Sequence, residues 1–325
     1  MNRTDVVCVG QALVDSILKD WNETPVNGNV YQADGVSIRC GGDALNEATI
    51  LARLGMSVKL MCGLGRDEPG ELILRSAKKS GIDLSAVVVS DTDPTPVTCL
   101  IVDPSGERKT INTPAHLIPF YHPDVREFEG AKVVSVASLF RAPFHDAEEI
   151  LHVLKSAKEN GAIVTADVKI ANCRQLYLDD VKAALPYIDY FFPNETEASF
   201  YTGRDQDEVS AMADVILGYG IHNVIIKVGA KGCFVKNSEE AFMVPAFHVN
   251  AVDATGAGDN FAAAFITSMI GQEQNGPMRL LNSAELHRAV EFATAAAAIC
   301  VQSIGATTGV TGRQQVEAFL QQMQQ

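Results

Sequence analysis

At 325 residues, 47% of them apolar and 20% charged, the chain is long enough for one large α/β domain with an insertion, or for two domains. Its formal net charge of −14 makes a surface that repels phosphate backbones, which excludes general binding to nucleic acid or anionic membranes. An anionic cosubstrate then requires a local positive site made of backbone dipoles, a lysine or a metal ion.

The N-terminus carries a short basic patch and then "VVCVG" (6–10), a strand. No long apolar stretch follows, so no signal peptide is read and a cytoplasmic protein is expected. Residues 12–40 include "GNVYQADGVSIRC", which alternates and lacks a helical period. A helix over 44–55, an apolar run "VKLMCGLG" (58–65) and a helix over 70–81 come next. Residues 96–113 read as two strands joined by "DPSG", a strong turn signal. Strands over 132–138, 162–168, 189–193, 223–229 and 233–237 then alternate with helices over 145–161 and 207–220. All four helices end on glycine, and apolar residues recur every three or four positions. Such alternation predicts a mainly parallel sheet flanked by helices. The two β pieces that break it, 12–40 and 96–114, are expected to form a small sheet serving as a lid. The core then comprises 1–11, 41–95 and 115–325. The Gln-rich tail after Gln314 reads as a helix end that frays.

The seven cysteines contain no CxxC pair and the seven histidines no HExxH, which predicts reduced thiols and no structural zinc. "AAAAICV" (295–301) is too short to span a membrane. GxxxxGK[ST] is absent, and neither "GLGRDE" nor "GAGDNF" has the third glycine of the dinucleotide fingerprint.

"DATGAGDNFAAAF" (253–265) carries the sharpest chemical signal. Gly256, Ala257 and Gly258 leave backbone N–H groups approachable at the start of a helix, which attracts anions. Asp259 has two readings. As an N-cap it would accept hydrogen bonds from the first turn. As a general base it would take a hydroxyl proton while the hole beside it holds a phosphate. The N-cap reading leaves the two glycines unexplained.

This stretch, together with "GGDALNEA" (41–48) running on through Gly55 to Gly65 and "PNETEA" (193–198), resembles the signatures of the ribokinase/PfkB family of carbohydrate kinases. The three occur in the family's order across most of the chain. Ala254 departs from the usual Thr, Ser or Pro, and Asp43 stands where ribokinases usually carry Lys. The resemblance implies a ribokinase-like α/β fold with a β lid. It implies Asp259 as general base, with Gly256, Ala257 and Gly258 as the anion hole. On the sugar side it implies Asp15, Gly41, Gly42 and Asn46. Lys169, at a strand end, and Arg108, on the lid, are further basic candidates whose first reading is an exposed, solvated charge. On the nucleotide side it implies Asn194, Lys227, Gly229, Gly232 and Thr294. Lys227 reads equally as a strand-end lysine in solvent, and Thr294 as a packed helix threonine. Glu197 would hold Mg²⁺ through water, although Asn194 and Glu197 also read as a capping box. Asp253, Thr255, Ser303 and Gly305, with carbonyls near Cys300, match a monovalent-cation site for K⁺. Gly309 falls where some members have a hydroxyl ligand.

The expected activity is ATP-dependent phosphorylation of a small sugar such as fructose, ribose, a related ketose or a keto-deoxy acid, by a homodimer formed through the lid. Three alternatives stay open. One is a nucleoside kinase on the same scaffold, with Tyr31, Phe120 and Tyr121 as stacking candidates. Another is a catalytically silent sugar sensor or scaffold. The third is a hydroxymethylpyrimidine-type kinase, against which the intact sugar-side signature counts.

Overall fold

The computed structural model describes residues 4–104, 108–113, 122–170, 176–272 and 278–323. In chain order the first strands are β1 (Val6–Val9), β2 (Leu13–Lys19) and β3 (Gly35–Gly41), followed by helix α1 (Asp43–Arg53). Then come β4 (Val58–Met61), β5 (Gly63–Gly65), α2 (Glu68–Lys79), β6 (Val88–Ser90), β7 (Val97–Val102) and β8 (Arg108–Asn112). The middle of the chain gives β9 (Val133–Leu139), α3 (Ala147–Glu159), β10 (Ile163–Val168), β11 (Tyr190–Phe191), α4 (Glu195–Thr202) and α5 (Val209–Leu217). It ends with β12 (Asn223–Lys227), β13 (Cys233–Lys236), β14 (Ala241–Val244), α6 (Ala257–Gln272), α7 (Ser283–Cys300) and α8 (Arg313–Met323).

Among the described residues, eight strands form one sheet in the order β14-β13-β12-β11-β10-β9-β1-β4. Pairing is parallel from β4 through β12 and antiparallel for β12-β13-β14. Buried on both faces, β1 and β9 read as continuous apolar or small residues rather than alternating ones. Two apolar clusters cover the sheet, one gathering α1, α6 and α7 and the other α3 and α5. Local signals start and stop the helices. Asp146 caps α3 by accepting from the N–H groups of Glu148 and Glu149. Asn282 and Glu285 form a capping box on α7, and Gly203 closes α4 in the left-handed conformation.

The run "VKLMCGLG" is not one strand. It leaves the main sheet at Cys62, and β5 pairs with β6 instead. Gly65 has no room for a side chain there, since a Cβ would lie 2.7 Å from Asp93 O. The strand over 189–193 shortens to two residues, and β14 extends the sheet beyond the expected set.

A separate four-stranded sheet has the order β3-β2-β7-β8. Its register defines two faces. Asp15, Arg39, Thr98 and Asn112 share one face with Ile17, Leu100 and Thr110. Leu18, Val36, Ile38, Cys99, Ile101 and Ile111 share the other.

Candidate active site

Between this small sheet and the main one lies a cavity of about 900 Å³, lined on one side by Asp15, Asn46 and Leu100 and on the other by Lys227, Gly229 and Thr294. Lys227 ends β12, Lys169 and Asn194 follow β10 and β11, and Gln11 follows β1. Ligands of open α/β sheets gather at these carboxyl ends because several loops converge there.

Asp259 is the third residue of α6, which begins at Ala257. It is therefore not the N-cap, and the capping reading fails. Its carboxylate is 6% exposed, lines the cavity and accepts from Asn46 Nδ2 at 2.8 Å. Burial, reinforced by the Asp43 and Asp167 carboxylates, pushes its pKa up to about 7, against the pull of Lys169 and Asn46. A carboxylate so placed is a proton acceptor poised near neutral pH.

The anion hole differs in detail from the expected one. Ala257 N–H turns back onto Ala254 O at 3.2 Å. Gly258 and Asp259 belong to the first turn, whose N–H groups have no intrahelical acceptor. A Cβ on Gly258 would lie 3.2 Å from Lys227 Nζ, so an ammonium stands beside those donors. Gly256 has φ +78 and is pressed against Ala306, whose Cα would lie 2.5 Å from a Cβ. Its role is to let the backbone pass rather than to admit a phosphate.

Both lysines leave the solvated reading behind. Lys227 is only 16% exposed and donates to Asp167 Oδ2 at 2.6 Å. Lys169 is 28% exposed and faces Glu197 Oε1 at 3.9 Å, with Asp43 first among the carboxylates that hold its pKa above the usual lysine value. The capping box of Asn194 and Glu197 is formed, with Glu197 Oε2 accepting from Asn194 N–H and Asn194 Oδ1 from Glu197 N–H, both at 2.8 Å. Burial raises the Glu197 carboxyl. Thr294 lines the cavity while its hydroxyl donates to Val290 O at 2.8 Å, as in a packed helix threonine. Gly229 and Gly232 line the same end, and Gly232 admits no side chain because Val244 O would lie 2.0 Å from a Cβ.

On the sugar side, Gly41 leaves the space that the Asp15 carboxylate fills: a Cβ would meet Asp15 Oδ2 at 2.3 Å. Gly42 has φ +95 and rests on Gln11 O. Burial and Asp43 raise the Asp15 pKa to about 6. Asp43 opens α1 and accepts from Ser138 Oγ at 2.6 Å. Arg108 opens β8 opposite Val102.

Asp253, Thr255 and Gly305 come together: Asp253 Oδ1 accepts from Thr255 N–H and Oγ1, and Oδ2 from Gly305 N–H. Ser303 follows α7 in the adjoining turn, its N–H donating to Cys300 O. Gly309 admits no side chain, since a Cβ would lie 2.8 Å from Ile299 O. Among the described residues no cluster of three or more His, Cys, Asp or Glu could hold a metal by itself.

Sequence reasoning missed Asp167 and Gln11. Each could have been found from its place at the carboxyl end of a predicted strand, 162–168 and 6–10.

A buried carboxylate beside a helix N-terminus and an ammonium, in a cavity with room for two ligands, equips a phosphotransferase that acts on an alcohol. Residues 3–312 match the family of pfkB carbohydrate kinases, and the chain belongs to that family. It is similar to the ribokinase of Haemophilus influenzae, 30% identical over 90% of this chain and 91% of that one. It also resembles the 2-dehydro-3-deoxygluconokinase of Bacillus subtilis, 26% identical over 98% of this chain and 96% of that protein. Arabidopsis thaliana ribokinase, solved with ribose and ATP, superposes with a TM-score of 0.83 at 25% identity over 98% of this chain and 99% of that one. The chain is thus a sugar kinase with a ribokinase fold, a phosphotransferase with an alcohol acceptor. That sets aside the silent-sensor and hydroxymethylpyrimidine readings.

Proposed function

We propose that the protein transfers the γ-phosphoryl group of ATP to a hydroxyl, a primary one, of a small sugar such as ribose, fructose or a related ketose. The observation that carries this is Asp259, buried between the two ends of one cavity and aligned by Asn46. The sugar lies against Asp15, Gly41, Gly42 and Asn46, with Lys169 within reach of the transferring group and Arg108 on the same small sheet. ATP lies over Asn194, Lys227, Gly229, Gly232 and Thr294. Asp259 accepts the hydroxyl proton as the sugar oxygen bonds to phosphorus and the bond to the ADP oxygen breaks. The N–H groups of Gly258 and Asp259 and the Lys227 ammonium stabilise the charge on the phosphoryl oxygens. The donor set suits Mg²⁺ held through water by Asn194 and Glu197, since Mg²⁺ keeps much of its hydration. When bound, the ion would supply positive charge against the nucleotide phosphates. Asp253, Thr255, Ser303 and Gly305 would take K⁺ in the turn behind Gly256.

The small sheet closes over the sugar as a lid and excludes water. Its outer apolar face pairs with a second copy, and the protein works in the cytoplasm, where ATP is made. Among the described residues no helix is long and apolar enough to cross a membrane. For a nucleoside acceptor, Tyr31 packs against Trp21 with ring centroids 5.8 Å apart, while Phe120 and Tyr121 lie outside the described residues. A panel of sugars and nucleosides assayed for ADP formation tests the proposal. Turnover of a sugar is expected, and turnover of nucleosides alone would contradict it.

A further inference from the structure

At the sugar end of the cavity most polar side chains already have partners within the protein. Asn46 Nδ2 is held by Asp259, and Asp43 accepts from Ser138. Gln11 is different. Its backbone is fixed just after β1, with its carbonyl accepting Ala44 N–H at 3.2 Å and Gly42 packed directly on it. Its side chain lines the cavity together with Asp15, Asp43 and Leu13. Yet Gln11 Nε2 is buried and has no hydrogen-bond partner among the described residues. A buried, unpaired amide destabilises the empty protein and is satisfied most simply by what fills the cavity.

We propose that Gln11 is a specificity-determining contact to the acceptor: its amide hydrogen-bonds one oxygen of the sugar, beside the hydroxyls that donate to Asp15 and Asp43. The charge around it defines the acceptor further. Asp15, Asp43 and Asp259 line this end, and the Lys169 ammonium facing them is already surrounded by carboxylates. A sugar carboxylate would add an anion to that cluster. The acceptor is therefore a neutral polyhydroxylated sugar with an oxygen that Gln11 reads. The assignment rests on the sugar-kinase reading and adds a residue and a substrate class to it.

The test measures steady-state kinetics of the wild type and Gln11→Leu with D-ribose, 2-deoxy-D-ribose, D-fructose, 1-deoxy-D-fructose and 2-dehydro-3-deoxygluconate, and the melting temperature of each protein without ligand. A neutral sugar is the expected best substrate. Gln11→Leu should raise the KM for it about tenfold or more while the KM for ATP stays within about twofold. Discrimination against the deoxy sugar that lacks the read oxygen should shrink in the variant. The melting temperature of the free variant should equal or exceed that of the wild type, because Leu removes an unpaired buried donor. A merely structural glutamine would lose stability on substitution without changing sugar discrimination. Unchanged KM for the sugar would overturn the Gln11 assignment and leave the kinase reading standing. The acid as best substrate would overturn the neutral class. Turnover of no sugar would overturn the sugar-kinase reading and this inference with it.

Discussion

Glu47 follows Asn46 on α1 and points its carboxyl into the protein, where it is 1% exposed and accepts from Cys8 Sγ at 3.7 Å. Burial pushes its pKa from 4.5 to about 8; Asp259 and Asp167 push the same way, and hydrogen bonds with Ser135 and Cys8 pull back. In the unfolded chain the group ionises near 4.5, whereas in the folded chain it stays protonated to about 8. Folding therefore takes up a proton in that window, and stability falls as pH rises through it, by about 1.4 kcal/mol per pH unit. Below the window the group contributes nothing, and above it the cost is complete. Glu47→Gln keeps the shape and cannot ionise. Its melting temperature should fall less between pH 5 and 8 than that of the wild type, and should be the higher of the two at pH 8. Thermal denaturation across that range checks this, and parallel curves would contradict it. Nothing in the sequence marks Glu47 as unusual, because its burial depends on α1 packing over β1 and β9.

The start of α6 separates two glycines that look alike in the sequence. Read from the sequence, a valine at either crowds the phosphate. In the fold, Gly256 faces Ala306 and has φ +78, whereas Gly258 faces the Lys227 ammonium beside it. Gly256→Val should cost about 1–3 kcal/mol of stability through backbone strain alone, with steric overlap adding to it. Gly258→Val should keep its melting temperature and lose at least about tenfold in turnover, because it crowds the donors to the phosphoryl group. Calorimetry and kinetics on the two variants check the division, and equal effects on both quantities would contradict it. The glycine string and its position before a helix were legible from local pattern. Which glycine faces the ligand was not, because that depends on a loop that follows α7. The same limit applies to "VKLMCGLG", where an unbroken apolar run hid the change of sheet at Cys62. Asp15, Asn46, Asn194, Lys227 and Asp259 were legible through the resemblance of their stretches to the family's signatures. Gln11 and Asp167 belong to no such signature, and the one signal for them was their place at the carboxyl ends of predicted strands.

At the scale of the molecule, the small sheet has one face to the cavity and one to solvent. On the outer face Val36 is 67%, Ile38 65% and Ile111 59% exposed. Three β-branched apolar side chains in register on one exposed face call for a cover. A second copy meeting face to face would bury them and would fix the sheet over the sugar from outside. The wild type should therefore have a solution mass about twice 34.9 kDa, and Ile38→Asp should reduce it to that of one chain. Light scattering on the eluting protein checks this, and an unchanged dimer in the variant would place the interface elsewhere.

The central claim is that Asp259 takes the acceptor's proton. Asp259→Asn preserves volume and a hydrogen bond to Asn46 while removing the base. With the sugar that the wild type turns over best, kcat should fall by roughly a hundredfold or more, while ATP binding by calorimetric titration stays near the wild-type value. A variant that kept near-wild-type turnover would contradict the account.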